Sequence, residues 1–192
     1  MGIPKIDTGP MTVEEFYAFT DARPDEEKWE LIDGEPVLNA APSDFHQLIL
    51  RNLVVALTLR QRDSSASWIA IPGIGAFVSR TSRPEPGVMI LPKPPERGAP
   101  PRRDTTEAIV LFEIMSPSTA MRDLKWKRIA YTGLPALTHY VVVAQDTVDV
   151  VVFAREAGFV EKRYRSLDEA IAFPALGIAL PVGEIYRDVD LG

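Results

Sequence analysis

The chain has 192 residues, 46% apolar and 25% charged, the proportions of a soluble globular protein long enough to bury a real core. Zero cysteines exclude disulfides and thiolate zinc sites and fit a cytoplasmic chain. A formal net charge of −6 argues against coating nucleic acid by bulk charge, while leaving room for a local basic cleft.

Residues 1–10 carry no apolar core of a secretory signal and read as an extended or disordered lead into one domain over 11–192. No apolar run reaches the ~18 residues of a membrane span. Thr12 followed by Glu15 is a capping box and predicts a helix over 13–21. Asp33-Gly34, between two short apolar runs, predicts a tight hairpin. Ser43 then caps a predicted helix over 44–61, whose stripe of Phe45, Leu48, Ile49, Leu53, Ala56 and Leu57 marks a single buried face. Strands are expected near 67–71, 75–79 and 87–91. Seven prolines within 84–101 describe an extended loop around one of them.

Residues 108–115 form an apolar run interrupted by Glu113, which reads as a central strand covered on both faces. Ser116-Pro117 then opens a predicted helix over 117–131, stopped by Gly133 and Pro135. Runs over 138–144 and 148–154 pair across 145–147, and a strand near 159–164 and a short element near 182–187 follow. The order describes an α/β (α+β mixed) domain, a central mixed β-sheet flanked by helices.

A carboxylate inside such a strand costs several kcal/mol or so unless paired, protonated or bound to an ion. Glu113 is therefore a candidate site residue, with a solvent-facing strand end as the plain alternative. Strand parity puts Leu111, Glu113 and Met115 on one face. Asp123, Lys127 and Tyr131 share a stripe of the next helix, so Lys127 can fold back on Glu113. An acid beside an ammonium is half of what metal-assisted phosphodiester hydrolysis needs. A surface ion pair between Asp123 and Lys127 is the other reading of that spacing.

Ten of the twenty-one Lys and Arg fall within 80–103 and 122–128, among them Arg83, Lys93, Arg103, Arg122 and Lys125, the candidate contacts to a polyanionic ligand. A solvated basic face is the alternative. His46 and His139 read as packing or capping residues, and no Ser-His-Asp pattern supports acyl chemistry. Gly73-Ile-Gly75 lacks the third glycine of a nucleotide fingerprint.

Several blocks occur together in order: Met11-Thr-Val-Glu-Glu-Phe16, Trp29-Glu-Leu-Ile-Asp-Gly-Glu35, Phe112-Glu-Ile-Met-Ser-Pro-Ser-Thr119, Thr138-His-Tyr-Val-Val-Val143 and the ending over 174–186. Over about residues 11–187 the chain resembles the Uma-type family of bacterial "putative restriction endonucleases". The resemblance implies a restriction-endonuclease-like PD-(D/E)XK core, here with an N-terminal helix and hairpin. It also implies cleavage of DNA with Mg²⁺ or Mn²⁺, which makes DNA the polyanionic ligand, and often a homodimer. Its second acid falls on Glu113. Its lysine falls not on Met115, two residues beyond, but on Lys127 of the next helix. Its first acid, an aspartate after proline, corresponds to Gly87, which has no side chain. Glu85, two residues earlier, is the acid left to stand in as a metal ligand. Three functions follow: a metal-dependent endonuclease weakened at Gly87, a non-catalytic member that binds DNA or a protein, or a plain interaction domain if the basic residues scatter.

Overall fold

A computed structural model describes residues 9–63, 66–94, 101–115 and 120–191, the side chains of 120–124 excepted. Helix α1 (Val13–Asp21) starts at the expected capping box, where the Thr12 side chain accepts from Glu15 N and Glu15 accepts from Thr12 N. Strands β1 (Trp29–Ile32) and β2 (Glu35–Leu38) pair antiparallel across Asp33 and Gly34, both at positive φ as a primed hairpin turn requires. Ser43 caps α2 (Asp44–Asp63) by accepting from His46 N at 3.2 Å.

Next come β3 (Trp68–Pro72), β4 (Gly75–Ala76), β5 (Val88–Pro92), β6 (Asp104–Thr105) and β7 (Val110–Met115). The strand expected over 75–79 is only β4, because Ser79 and Ser82 exchange backbone hydrogen bonds and turn the chain. Helix α3 (Ala120–Thr132) follows, and its expected opening at Ser116 and Pro117 lies outside the described residues. After it stand β8 (His139–Ala144), β9 (Val150–Ala154) and β10 (Glu161–Tyr164).

The sequence reading places nothing between 164 and 182, yet a further hairpin forms there from β11 (Ala170–Phe173) and β12 (Ile178–Pro181). Its strands alternate small and apolar residues too briefly to signal a sheet. Its link is a 3₁₀ turn closed by Gly177 at φ +66°. The short helix α4 (Val182–Ile185) falls where a tail element is expected.

The central sheet is mixed, in the order β10-β9-β8-β7-β5-β3, with β7 and β8 parallel and the other neighbours antiparallel. Each face carries its own core. Ile49, Leu53 and Leu57 of α2 cover Val88, Val110 and Phe112 on one side, together with the β11–β12 hairpin and α4. Tyr131 of α3 covers Met89, Leu111 and Tyr140 on the other. A buried β7 thus has both faces filled, as its unbroken apolar run requires.

Asn52 ties the C-terminal segment to α2, since its amide donates to Ile185 O at 3.0 Å and Arg187 O at 2.7 Å. Asn52 is buried, so Asn52→Leu leaves two carbonyls short of a donor. The substitution is expected to cost about 1–3 kcal/mol in urea denaturation, with the slope unchanged.

Candidate active site

Glu113 sits in the middle of β7, opposite Val142 of β8, and its side chain points to the α3 face as strand parity requires. Only 8% of it is exposed. Helix α3 leaves from the end of the same strand, so residues 127 and 131, one turn apart, come back over the carboxylate. Lys127 Nζ lies 3.0 Å from Glu113 Oε1, and the Tyr131 hydroxyl donates to the same oxygen at 2.7 Å.

A third element completes the network. Glu30 of β1 is 4% exposed, and its Oε1 accepts from Lys127 Nζ at 2.9 Å and from Glu85 N at 2.7 Å. Trp126, next to Lys127, donates to Asp33 Oδ2 at 2.7 Å and pins α3 to the hairpin turn. Lys127 is therefore shared by two buried acids inside the protein.

The electrostatics follow from that count. Burial opposes the Lys127 ammonium, but Glu113 and Glu30 together outweigh it and hold its pKa above the ordinary lysine value. Burial raises the Glu113 pKa against the pull of Lys127, and repulsion from Glu30 adds to the rise. Two carboxylates with one ammonium between them leave one acid under-compensated, and that acid is Glu113. Tyr131 is pushed well above its usual pKa, by burial first and by Glu113 next, so its hydroxyl remains a donor.

Glu113, Lys127 and Glu30 open on a cleft of about 520 Å³, between α2, the β1–β2 hairpin and the sheet end where β5 begins. Glu85 and Gly87 line it as well. Glu85 Oε2 accepts from Arg83 Nη1 at 2.9 Å, which leaves its other oxygen beside Gly73. Glu113 Oε2 makes no hydrogen bond among the described residues.

Two carboxylates with a spare oxygen each suit a hard cation, since Mg²⁺ usually takes one or two acids and completes its shell with water and phosphate. Among the described residues no group of three His, Cys, Asp or Glu could hold a metal ion. A cation held here would have to draw its remaining ligands from water and substrate, and Glu113 and Glu85 are the cleft acids that could bind it.

The basic candidates do not gather on one wall. Arg83 is 6% exposed, bonded to Glu85 and, through Nη2, to Arg103 O at 2.6 Å, so it is an internal tie rather than a free phosphate contact. Lys93 is exposed, but it stands at the far end of β5 from Gly87, roughly 20 Å along the strand. Arg103 is exposed and paired with Asp21 at 2.8 Å, and Lys125 is exposed on α3. The side chains of Arg122 and Asp123 lie outside the described residues.

Sequence reasoning missed Glu30 and Lys28, both of which line the cleft. The signal for Glu30 was present: it stands between Trp29 and Leu31 in a short strand of otherwise apolar residues. Its partners, however, are 97 and 55 positions away.

A mixed sheet with helices on both faces, and an acid–lysine pair on the floor of a cleft at its edge, define a nuclease-type fold. The chain belongs to the family Uma2, described as "Putative restriction endonuclease", which matches residues 13–183. Among solved structures it is similar to a "putative nuclease belonging to DUF820" from Anabaena variabilis ATCC 29413. That likeness has a TM-score of 0.76 at 14% identity, and covers 92% of this chain and 98% of the other. No curated protein matches the chain. Among the described residues, no helix is long and apolar enough to cross a membrane.

Proposed function

We propose that this protein binds DNA in the cleft and hydrolyses its phosphodiester bonds, at a rate held down by the ligand that Gly87 does not supply. The observation that carries this reading is the Lys127–Glu113 pair, 3.0 Å apart on the cleft floor. Lys127, held protonated by two carboxylates, presents a fixed positive charge where negative charge grows on the phosphoryl oxygens. Glu30 holds that ammonium in place and, through Glu85 N, fixes the loop that carries Glu85. Glu113 and Glu85 would hold Mg²⁺ or Mn²⁺, which when bound supplies an activated water and polarises the phosphate. The acids and ammonium groups lining the cleft, Glu30, Glu85 and Glu113 against Lys28 and Lys127, sum to a negative floor. A phosphate enters such a floor more readily with a cation between them.

Incubation of plasmid and single-stranded DNA with excess protein and Mn²⁺ is the test. Nicked and shortened products that disappear in Glu113→Gln are expected, and intact DNA at high protein excess would remove the reading. Gly87 favours a second reading, DNA binding without turnover. It would appear as an affinity that falls steeply with salt and yields no product.

A further inference from the structure

The acid–lysine network leaves one group of the cleft without a role. Tyr140 of β8 stands opposite Leu111, so its ring lies on the Glu113 face of the sheet. It is 0% exposed, edge-on to Tyr131 at 5.2 Å and stacked on Phe153 at 5.7 Å. The packing is complete without the hydroxyl. Tyr140 is among the residues that line the cleft, and among the described residues its buried hydroxyl has no hydrogen-bond partner. A buried donor left unpaired costs about 1–3 kcal/mol, a cost that phenylalanine would avoid with the same packing. His46, whose buried Nδ1 likewise has no partner among the described residues, lines the same cleft. Two such residues lining one cleft point to a polar occupant.

The chemistry of Tyr140 narrows that occupant. Burial, then Glu113, then Glu30 push its pKa well above the ordinary tyrosine value, so the hydroxyl stays protonated. A protonated hydroxyl can donate, and what it lacks is an acceptor oxygen. Lys127 lines the same cleft and favours an acceptor that carries negative charge.

We propose that the Tyr140 hydroxyl is a positioning donor that hydrogen-bonds a non-bridging oxygen of the phosphodiester held in the cleft. The assignment rests on the DNA reading of the cleft given above. Orientation is its role: one fixed donor beside the Glu113–Lys127 pair sets which phosphate face meets the acid.

The experiment is Tyr140→Phe against wild type, titrated with a labelled DNA duplex at several salt concentrations, with a melting curve for each protein. The dissociation constant is expected to rise roughly ten-fold or more, the size of one hydrogen bond to a charged group. The salt slope should not change, because no phosphate charge loses a cationic partner. The melting temperature should hold or rise. An unchanged dissociation constant with a lower melting temperature would overturn the assignment alone, since the hydroxyl would then be serving a structural water. Wild type that binds no duplex would overturn the assignment together with the DNA reading beneath it.

Discussion

Lys127→Met is expected to destabilise the protein by about 3–5 kcal/mol near pH 8, the cost of removing one partner of a buried ion pair. The loss should shrink steadily as the pH is lowered toward 4. Wild type holds Glu113 and Glu30 around one ammonium, each within 3.0 Å of it. Without that ammonium less remains to offset the burial of Glu113 and its repulsion from Glu30, and its charge is disfavoured further.

The sign follows from linkage. In the variant the folded-state pKa of Glu113 lies still further above its unfolded value of about 4.5. A raised acid contributes no instability below the unfolded pKa, and destabilises increasingly as pH rises past it. Urea denaturation of both proteins at pH 4, 6 and 8 measures the difference. A penalty that does not change with pH would mean the lysine acts by packing, not by charge. Any DNA cleavage should fall by ~10²–10³-fold in the same variant, as when a fixed electrostatic stabiliser is removed. Glu113→Gln should cost far less stability, because the amide oxygen still accepts from Tyr131 and the under-compensated charge is gone.

Gly87→Asp is expected to strengthen cation binding at the cleft. Gly87 immediately precedes β5, whose first residue, Val88, pairs with Phe112 beside Glu113, and it lines the same cleft as Glu113 and Glu85. A Cβ built on Gly87 meets Phe112 O at 3.4 Å, Ile114 Cδ1 at 3.6 Å and Leu50 Cδ1 at 3.7 Å, ordinary contact distances. The backbone there is outside the left-handed region, so an L side chain fits without strain. Aspartate at this position adds a third carboxylate to Glu113 and Glu85 at the cleft.

Mn²⁺ affinity by calorimetry should then rise at least ~10-fold, about 1.4 kcal/mol, and the gain should vanish in the double variant with Glu113→Ala. Cleavage of DNA should rise with it. Unchanged Mn²⁺ affinity in Gly87→Asp would place the ion elsewhere and remove Glu113 as its ligand. Stability should shift little, since replacing a glycine at a compatible φ also restricts the unfolded chain.

Local chemistry carried much of this protein in its sequence. The capping box at Thr12, the Asp33-Gly34 turn and the apolar stripe of α2 each specify an element through contacts within a few residues, and each formed with boundaries close to those expected. The apolar run around Glu113 likewise implied a strand covered on both faces, and its parity chose the face on which the carboxylate lies. The helical spacing of Lys127 and Tyr131 put both over that carboxylate, because a helix packed back across its own strand brings its later turns over the strand's side chains.

Tertiary structure decided the rest. Asp123 and Lys127 share a stripe equally well in a surface pair, and only burial against β7 and β1 shows that Lys127 serves Glu113 and Glu30. Glu30 entered the site because the hairpin folds across the sheet end, a contact between elements far apart in the chain. Sequence clustering gathered Arg83 and Lys93, whereas the fold buries the first and sends the second to the opposite end of a strand. Nearness along a chain fixes the backbone through short-range sterics and hydrogen bonds. Charge meets charge only where long-range packing removes the water between them.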